Sequence, residues 1–263
     1  GCVYLNFVVD LNPANPDLPN FSSPAGGRLI KIKASADNPN VADLSSRVTI
    51  LDGHKMTHAT HSVGDVDFDN DGNLIFSWGD GGFGDNLRFE AQDIDSKQGK
   101  FFRVDPETGF GLPDNPFYDP ANPNSVRSKV WAIGVRNPWV WTVDRPTGDV
   151  YFADVTDGGP EEANILRTNI TNPDQELNFG WPYFEGDVRT RYGTVPDDFV
   201  YESSYVTLPH TGGYDAITGG AVYRGTDYPE IYNGRYFFAN YGQNTFYTAD
   251  ADGNFRQFGN FGD

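Results

Sequence analysis

The chain has 263 residues, of which 15% are aromatic, and a single cysteine, Cys2, which excludes a disulfide within the chain. Its formal net charge of −18 repels phosphate backbones and anionic membranes, so nucleic acid and lipid are not expected partners. No run approaches the roughly 18 apolar residues of a membrane span, and no signal peptide is visible. The excess acid favours solubility and supplies oxygen ligands for Ca²⁺.

Short strands are predicted along the chain, because Gly, Pro, Asn and Asp recur roughly every 8–12 residues and long amphipathic helical windows are hard to find. The opening GCVYLNFVVDLN is a strand, and GGRLIKIKA follows after a Pro- and Asn-rich loop at residues 12–25. Further along come the hairpin GDVDFDNDGNLIFSWGD, the strand GKFFRVDPETG and a second hairpin, PWVWTVDRPTGDVYFADV. Later strands lie in TGGAVYRG and GRYFFANYGQNTFYTADADGNF.

Repeated antiparallel units joined by long loops indicate an all-β protein, either a β-propeller or a large sandwich. The comparable placement of the turns favours the propeller, as a single domain over residues 1–263. The chain opens within a strand and closes on ADGNFRQFGNFGD, where another strand should follow. We therefore expect the first and last blades to be incomplete, and to be completed by further segments or by a partner chain.

The first hairpin brings a histidine and an aspartate together. If it turns symmetrically about Asn70 and Asp71, His61 and Asp80 face each other across the ladder, with Cβ atoms about 5 Å apart. An aspartate beside a histidine fixes one imidazole tautomer and raises the basicity of the ring, as a general base requires. A purely structural histidine–carboxylate pair remains the alternative.

The second hairpin repeats this arrangement with an arginine. Its turn at Asp144 to Gly148 places Arg136 opposite Thr156 or Asp157, at the end remote from the turn. One rim of the structure is therefore expected to gather the polar residues of both hairpins, namely His61, Asp80, Arg136, Asn137 and Asp157. The alternative is an ordinary surface ion pair, which contributes little.

Other motifs have simpler interpretations. Asp67 to Gly72 begins like a calcium loop, but Trp78 stands where an EF-hand needs its glutamate. A tight acidic turn is therefore the better explanation, and a weak Ca²⁺ site is the alternative. His54 and His58 are predicted to lie in a loop near His61, and a zinc site there is not expected. His210 either lines a substrate mouth or is an ordinary loop residue.

The order of several segments carries a family resemblance. HSVGDVDFDNDGNLIFSWGDGG, AQDIDSKQGKFFRVDPETG, DNPF, GVRNPWVW, DVTDGGPEEANIL, NFGWPYFEG and ITGGAVYRG follow one another in this chain. Together they resemble the glucose/sorbosone dehydrogenase family, which includes the soluble quinoprotein aldose sugar dehydrogenases. The resemblance implies a six-bladed propeller of four-stranded antiparallel blades, which holds pyrroloquinoline quinone (PQQ) and Ca²⁺ on one face.

The resemblance implies a role for the residues of the two hairpins. His61 matches the general base that takes a proton from the anomeric hydroxyl of a sugar while hydride passes to the quinone. Asp80 matches the aspartate partner of that histidine. Arg136, with Asn137 beside it, matches the arginine that contacts the quinone oxygens and stabilises negative charge there.

The same resemblance implies the remaining ligands. Thr156 and Asp157 match positions whose backbone carbonyls hold Ca²⁺, and Glu162 follows in the acidic pair. Arg224 matches a basic residue that grips the carboxylates of the cofactor. Further basic contacts of the family lie in a later strand, where this chain reads NYGQNTFYTAD with neither Arg nor Lys.

Three functions remain open. The first is PQQ- and Ca²⁺-dependent oxidation of an aldose at the anomeric carbon, with a sugar and an electron acceptor as partners and a periplasmic or extracellular location. The second is a non-catalytic propeller that acts as an extracellular binding or adhesion module, as in hedgehog-interacting proteins. The third is a structural subunit of an extracellular complex.

Overall fold

The computed structural model describes residues 1–10, 25–57, 60–82, 86–210 and 215–261. The chain divides into two compact units, Gly1–Trp131 and Ala132–Asp263. The single domain expected over residues 1–263 therefore stays a prediction. All of the loop predicted at residues 12–25 except Ala25 lies outside the described residues.

Short strands make up most of the regular structure, which confirms the prediction of a mainly β protein. The strands are β1 Cys2–Asp10, β2 Ala25–Ala34, β3 Ala42–Met56, β4 Val63–Phe68, β5 Leu74–Trp78, β6 Lys100–Val104, β7 Val130–Ile133, β8 Trp141–Val143, β9 Val150–Asp154, β10 Glu161–Leu166, β11 Phe184–Glu185, β12 Val188–Arg189, β13 Val206–Leu208, β14 Ile217–Val222, β15 Tyr236–Asn240, β16 Thr245–Ala249 and β17 Phe255–Asn260. Within the described ranges, the helices are short: α1 Val126–Lys129, α2 Pro173–Glu176 and 3₁₀ turns at Leu87–Gln92, Glu230–Tyr232 and Tyr241–Gln243.

Four-stranded sheets recur along the chain. Their strand orders are β4-β5-β6-β7, β13-β10-β9-β8 and β14-β15-β16-β17, beside a three-stranded sheet β1-β2-β3 and the small hairpin β11-β12. Two of the four-stranded sheets follow chain order throughout, as in an up-and-down meander. The segment 255–260, expected to lead into a further strand, itself forms β17, so this last sheet has four strands.

The acidic turn of the first hairpin is held by its own aspartate. Asp69 Oδ1 accepts the backbone N–H of Asp71 at 2.9 Å and of Asn73 at 2.8 Å, and Asp69 Oδ2 accepts the Nε–H of Arg103 at 2.7 Å. An aspartate that accepts amides two and four residues ahead closes a tight turn. The interpretation of Asp67 to Gly72 as a tight acidic turn is therefore confirmed.

Each unit has its own aromatic core. In the first unit, Phe76 stacks on Phe102 at 4.8 Å, and Trp78 packs edge-on against both rings. In the second unit, Tyr236 and Phe238 alternate along β15 and enter a buried cluster with Tyr151. Large rings that alternate along a strand fill the space between neighbouring sheets, as the aromatic composition predicted.

Candidate functional site

The first hairpin joins His61 to Asp80. His61 Nδ1 lies 2.7 Å from Asp80 Oδ1, and the two residues are only 7% and 1% exposed. The pairing predicted from hairpin geometry is confirmed, whereas its catalytic role stays a prediction. Because an ionised carboxylate only accepts hydrogen bonds, the proton lies on Nδ1, and Nε2 is the ring nitrogen that can receive a proton.

This pairing depends on an irregular register. Near the turn, Phe68 pairs with Leu74 and Val66 with Phe76, one residue away from the symmetric register. A bulge between Val63 and Val66 then restores the predicted register at Val63 and Trp78, just inside the His61–Asp80 pair. Without that extra residue, the two side chains would lie on opposite faces of the ladder.

The backbone around the pair is also constrained. His61 has a φ of 56°, in the left-handed region that few non-glycine residues adopt. Its carbonyl accepts the N–H of Gly81 at 3.1 Å, and Asp80 Oδ1 accepts the N–H of Gly82 at 2.9 Å. An added Cβ at Gly81 would lie 2.1 Å from the carbonyl oxygen of Lys55, so only glycine is tolerated there.

A second histidine lies behind this pair. His54 was expected in a loop, but it lies in β3, is fully buried and contacts the Trp78 ring at 5.2 Å. Its Nε2 donates to the carbonyl of Gly79 at 2.7 Å, beside Asp80. Burial lowers the pKa of His54 to about 4, so the ring is neutral at pH 7. His58 lies outside the described residues.

In the second unit, Arg136 pairs with Asp157. The observed pairs Trp141–Phe152 and Val143–Val150 select Asp157, rather than Thr156, as the residue opposite Arg136. Arg136 Nη2 lies 3.4 Å from Asp157 Oδ1, and the expected pair is therefore present.

The Arg136 guanidinium is almost completely enclosed. It is 5% exposed and lies over the Trp181 ring at 5.3 Å, while Nη1 donates to the carbonyl of Val155 at 2.5 Å. Arg136 Nε is buried and has no hydrogen-bond partner among the described residues. A buried donor without a partner is costly, so this N–H is available to an oxygen of a ligand.

Asp154 fixes the backbone that carries the arginine. Its two carboxylate oxygens accept the N–H of Arg136 at 2.8 Å and the N–H of Asn137. Asn137 therefore lies beside Arg136 as expected, with its backbone bound to the end of β9. A buried carboxylate that holds consecutive amides fixes the direction in which the following side chains leave the chain.

The segment predicted to bind Ca²⁺ follows β9. The amides of Asp157, Gly158 and Gly159 donate to the carboxylate of Glu185, at 3.2 Å for Gly158 and 2.8 Å for Gly159. In a trans peptide, the carbonyl points away from the N–H, so the carbonyls of Thr156 and Asp157 face away from Glu185. Backbone oxygens aligned in this way fit Ca²⁺, which prefers oxygen ligands.

Side-chain ligands are not gathered there. Asp157 contacts Arg136, Arg191 and the Tyr192 hydroxyl, so its carboxylate is already paired. Across the described ranges, no three His, Cys, Asp or Glu side chains are arranged to hold a metal ion. Calcium binding in this segment would therefore rely on backbone carbonyls.

Arg224 lies elsewhere in the second unit. Its Nε and Nη2 donate to Asp144 at 2.9 and 2.6 Å, in the turn of the β8–β9 hairpin. Arg136 and Asp157 lie at the other end of the same hairpin. The structure thus does not bring Arg224 and Arg136 together, because Arg224 neutralises a buried aspartate at the remote end of the hairpin. The cofactor contact expected of Arg224 stays a prediction.

Sequence reasoning missed the contacts of two buried glutamates in β10. Glu161 accepts from Thr156, from the N–H of Ile217 at 3.0 Å and from His210 at 3.0 Å, and burial raises its pKa. Glu162 lies opposite Asp154, and burial, reinforced by that carboxylate, raises the pKa of Glu162 well above its usual value. The sequence signal that could have indicated these buried contacts is a pair of adjacent acids at the start of β10, all six residues of which are buried.

Comparison with known proteins identifies the family of this chain. The model of the Glucose / Sorbosone dehydrogenase family matches residues 20–258, most of the chain. The chain belongs to the glucose/sorbosone dehydrogenase family. This family includes sugar dehydrogenases, which are oxidoreductases, so the recognition made from the sequence segments is confirmed.

Two curated relatives illustrate the family. Aldose sugar dehydrogenase YliI of Escherichia coli (strain K12) is 30% identical over 178 residues, which cover 67% of this chain and 44% of that protein. HIPL1 protein of Arabidopsis thaliana is 29% identical over 223 residues, which cover 70% of this chain and 29% of that protein. This glucose/sorbosone dehydrogenase homologue thus spans less than half the length of either relative.

Solved structures share the fold of this family member. A glucose dehydrogenase superposes with a TM-score of 0.70 at 24% identity, covering 98% of this chain and 68% of that one. The apo-form of the soluble aldose sugar dehydrogenase from Escherichia coli gives 0.68 at 20% identity, covering 99% and 68%. Within the described ranges, no helix is both long and apolar enough to cross a membrane.

Proposed function

We propose that this glucose/sorbosone dehydrogenase homologue oxidises an aldose at the anomeric carbon, with PQQ and Ca²⁺ as cofactors. The observation that carries the proposal is the buried hydrogen bond from His61 Nδ1 to Asp80. It supports a ring whose Nε2 accepts a proton from a sugar hydroxyl, while Asp80 stabilises the imidazolium that forms.

The second unit supplies the groups suited to the cofactor. PQQ, when bound, supplies the acceptor for the hydride that leaves the sugar. The buried Nε of Arg136, which has no partner among the described residues, supports a hydrogen bond from this chain to a quinone oxygen. Trp181 holds the guanidinium plane in place, and the carbonyls of Thr156 and Asp157 would hold Ca²⁺.

The proposal extends to the setting of the protein. The four-stranded sheets are proposed to be blades of a six-bladed propeller, completed by further segments or by a partner chain. The expected partners are a sugar and an electron acceptor, in the periplasm or outside the cell. The formal net charge of −18 supports neither nucleic acid nor an anionic membrane as a partner.

A second candidate is a non-catalytic extracellular binding or adhesion module with the same fold. It is favoured by β16 and its flanks, residues 240–250, which contain no Arg or Lys. The family's additional basic cofactor contacts would come from this region. The position of Arg224 favours the same alternative, because its guanidinium is already paired with the buried carboxylate of Asp144.

Cofactor binding separates the two candidates. We expect PQQ with CaCl₂ to quench tryptophan fluorescence of the purified protein, and the loaded protein to reduce an artificial acceptor with an aldose. Arg136→Lys should weaken PQQ binding, since lysine lacks the Nε donor and stacks less well on Trp181. Arg224→Lys, the matched change at the other end of the hairpin, should leave it unchanged. If wild-type protein shows no quenching, the dehydrogenase proposal fails and the binding module is favoured.

A further inference from the structure

The carboxylate of Glu185 occupies an unusual position beside the predicted calcium segment. Glu185 is 4% exposed and lies in the short hairpin β11–β12. Both of its oxygens accept backbone N–H groups from three consecutive residues, Asp157, Gly158 and Gly159. Successive amides that converge in this way form a small anion-binding concavity, and here a side chain of the same chain fills it.

The contact determines the direction of the neighbouring carbonyls. Each trans peptide directs its oxygen opposite to its N–H, so an anion held by the amides of Asp157 and Gly158 directs the oxygens of Thr156 and Asp157 to the other side. A carboxylate that accepts from an amide also polarises that amide and increases the negative charge on its oxygen. Glu185 thereby both aligns the two carbonyls and strengthens them as cation ligands.

The glycine that follows is explained by the same contact. A Cβ added to Gly159 would lie 2.7 Å from Glu185 Cβ and 2.8 Å from Glu185 Oε2, closer than real Cβ atoms approach. Glycine at this position therefore lets the carboxylate reach the backbone. The segment Asp157–Gly158–Gly159 after β9 is therefore matched to Glu185, which lies far away along the chain.

We propose that Glu185 is a positioning residue for calcium: it sets the Thr156 and Asp157 carbonyls as ligands without coordinating the ion. The inference rests on the proposed function for the presence of Ca²⁺. It goes beyond that function by assigning Ca²⁺ affinity to a residue about thirty positions away along the chain. It also predicts that geometry, and not only negative charge, sets that affinity.

The test is calorimetric titration of the full chain with CaCl₂ alone. Glu185→Gln replaces an accepting oxygen by an amide group that faces backbone donors, and we expect Ca²⁺ affinity to fall by about tenfold or more. Glu230→Gln removes the same charge from an exposed glutamate and should have little effect. Hydrogen exchange at Asp157, Gly158 and Gly159 should accelerate in Glu185→Gln, with thermal unfolding as a check on folding.

Gly159→Ala tests the contact while the carboxylate is retained. The added methyl displaces Glu185 from the amides, so Ca²⁺ affinity should fall as it does in Glu185→Gln. Gly259→Ala is the matched control, because nothing lies within 4 Å of its added Cβ. If wild type binds Ca²⁺ and both variants bind within twofold of it, the positioning role is wrong and the proposed function stands. If wild type binds no Ca²⁺, the positioning role and the metal of the proposed function fail together.

Discussion

His54 should make the protein lose stability in mild acid. The ring is fully buried, Nε2–H donates to Gly79, and Nδ1 has no hydrogen-bond partner among the described residues. A proton added at Nδ1 would place a charged N–H against apolar surroundings that include the Trp78 ring. This is why burial lowers the pKa of His54 from 6.5 to about 4.

The direction and size of the effect follow from linkage. Because the folded pKa is lowered, the unfolded chain binds more protons between pH 6.5 and about pH 4, and stability falls as pH falls through that window. Full protonation of the buried ring costs about 3 kcal/mol, and the part lost between about pH 7 and about pH 5 is about 2 kcal/mol.

Urea unfolding of wild type and His54→Gln at both pH values measures this contribution. Glutamine retains an amide donor for the Gly79 carbonyl but does not titrate, so the free energy of unfolding of the variant should fall by about 2 kcal/mol less. Other ionisable groups contribute equally to both proteins and cancel in the comparison. Equal losses in the two proteins would refute the reasoning, as would an NMR titration that protonates His54 near pH 6.5.

Two further variants test the carboxylates. Asp80→Asn should lower kcat for aldose oxidation by about 100-fold or more with unchanged Ca²⁺ affinity, since His61 loses its anionic partner. Asp65→Asn, which changes an exposed residue of the same hairpin, is the control. Equal kcat values for the two variants would contradict the role of Asp80. For Glu162→Gln, the free energy of unfolding relative to that of wild type should rise as pH rises above 4.5. The reason is that the raised pKa of Glu162 makes wild type lose stability as pH rises, whereas glutamine does not titrate. Urea unfolding at about pH 4 and about pH 8 measures this difference, and parallel pH dependences would contradict it.

The hairpin pairs could be predicted from the sequence because strand alternation and a short turn fix which residues meet. That rule left Thr156 or Asp157 opposite Arg136, and the observed register selects Asp157. Asp80 meets His61 because a bulge corrects the one-residue shift of the turn. The bulge itself has no clear sequence signature, and the symmetric turn that placed the pair is not the one observed. The predicted His61–Asp80 pair is therefore present because two departures from regular geometry, the shifted turn and the bulge, compensate for each other.

The remaining residues could not be placed because their partners are remote in sequence. His54 lies in β3, whose register against β2 shifts at several points, so no alternating pattern marks that strand. Glu185 and Arg224 act on residues of another hairpin, through contacts that no local period encodes. The family resemblance matches Arg224 to a cofactor contact, whereas its pairing with the buried Asp144 could not be read from the sequence.

Some of the acidic residues are buried and stabilise loops and turns, so the acidic composition does more than favour solubility. A carboxylate can accept several backbone N–H groups at once, and in an all-β chain with many turns such donors are abundant. Asp69 holds the turn of the first hairpin, Asp154 the Arg136 segment, Glu185 the loop that follows β9, and Asp80 a turn amide together with the His61 ring. Three of these four acids, Asp80, Asp154 and Glu185, lie beside a proposed catalytic, cofactor or calcium residue, so part of the negative charge holds the backbone or side chains of these proposed residues in place. Substituting these three acids should therefore alter ligand affinity or turnover, whereas neutralising exposed acids should mainly change solubility.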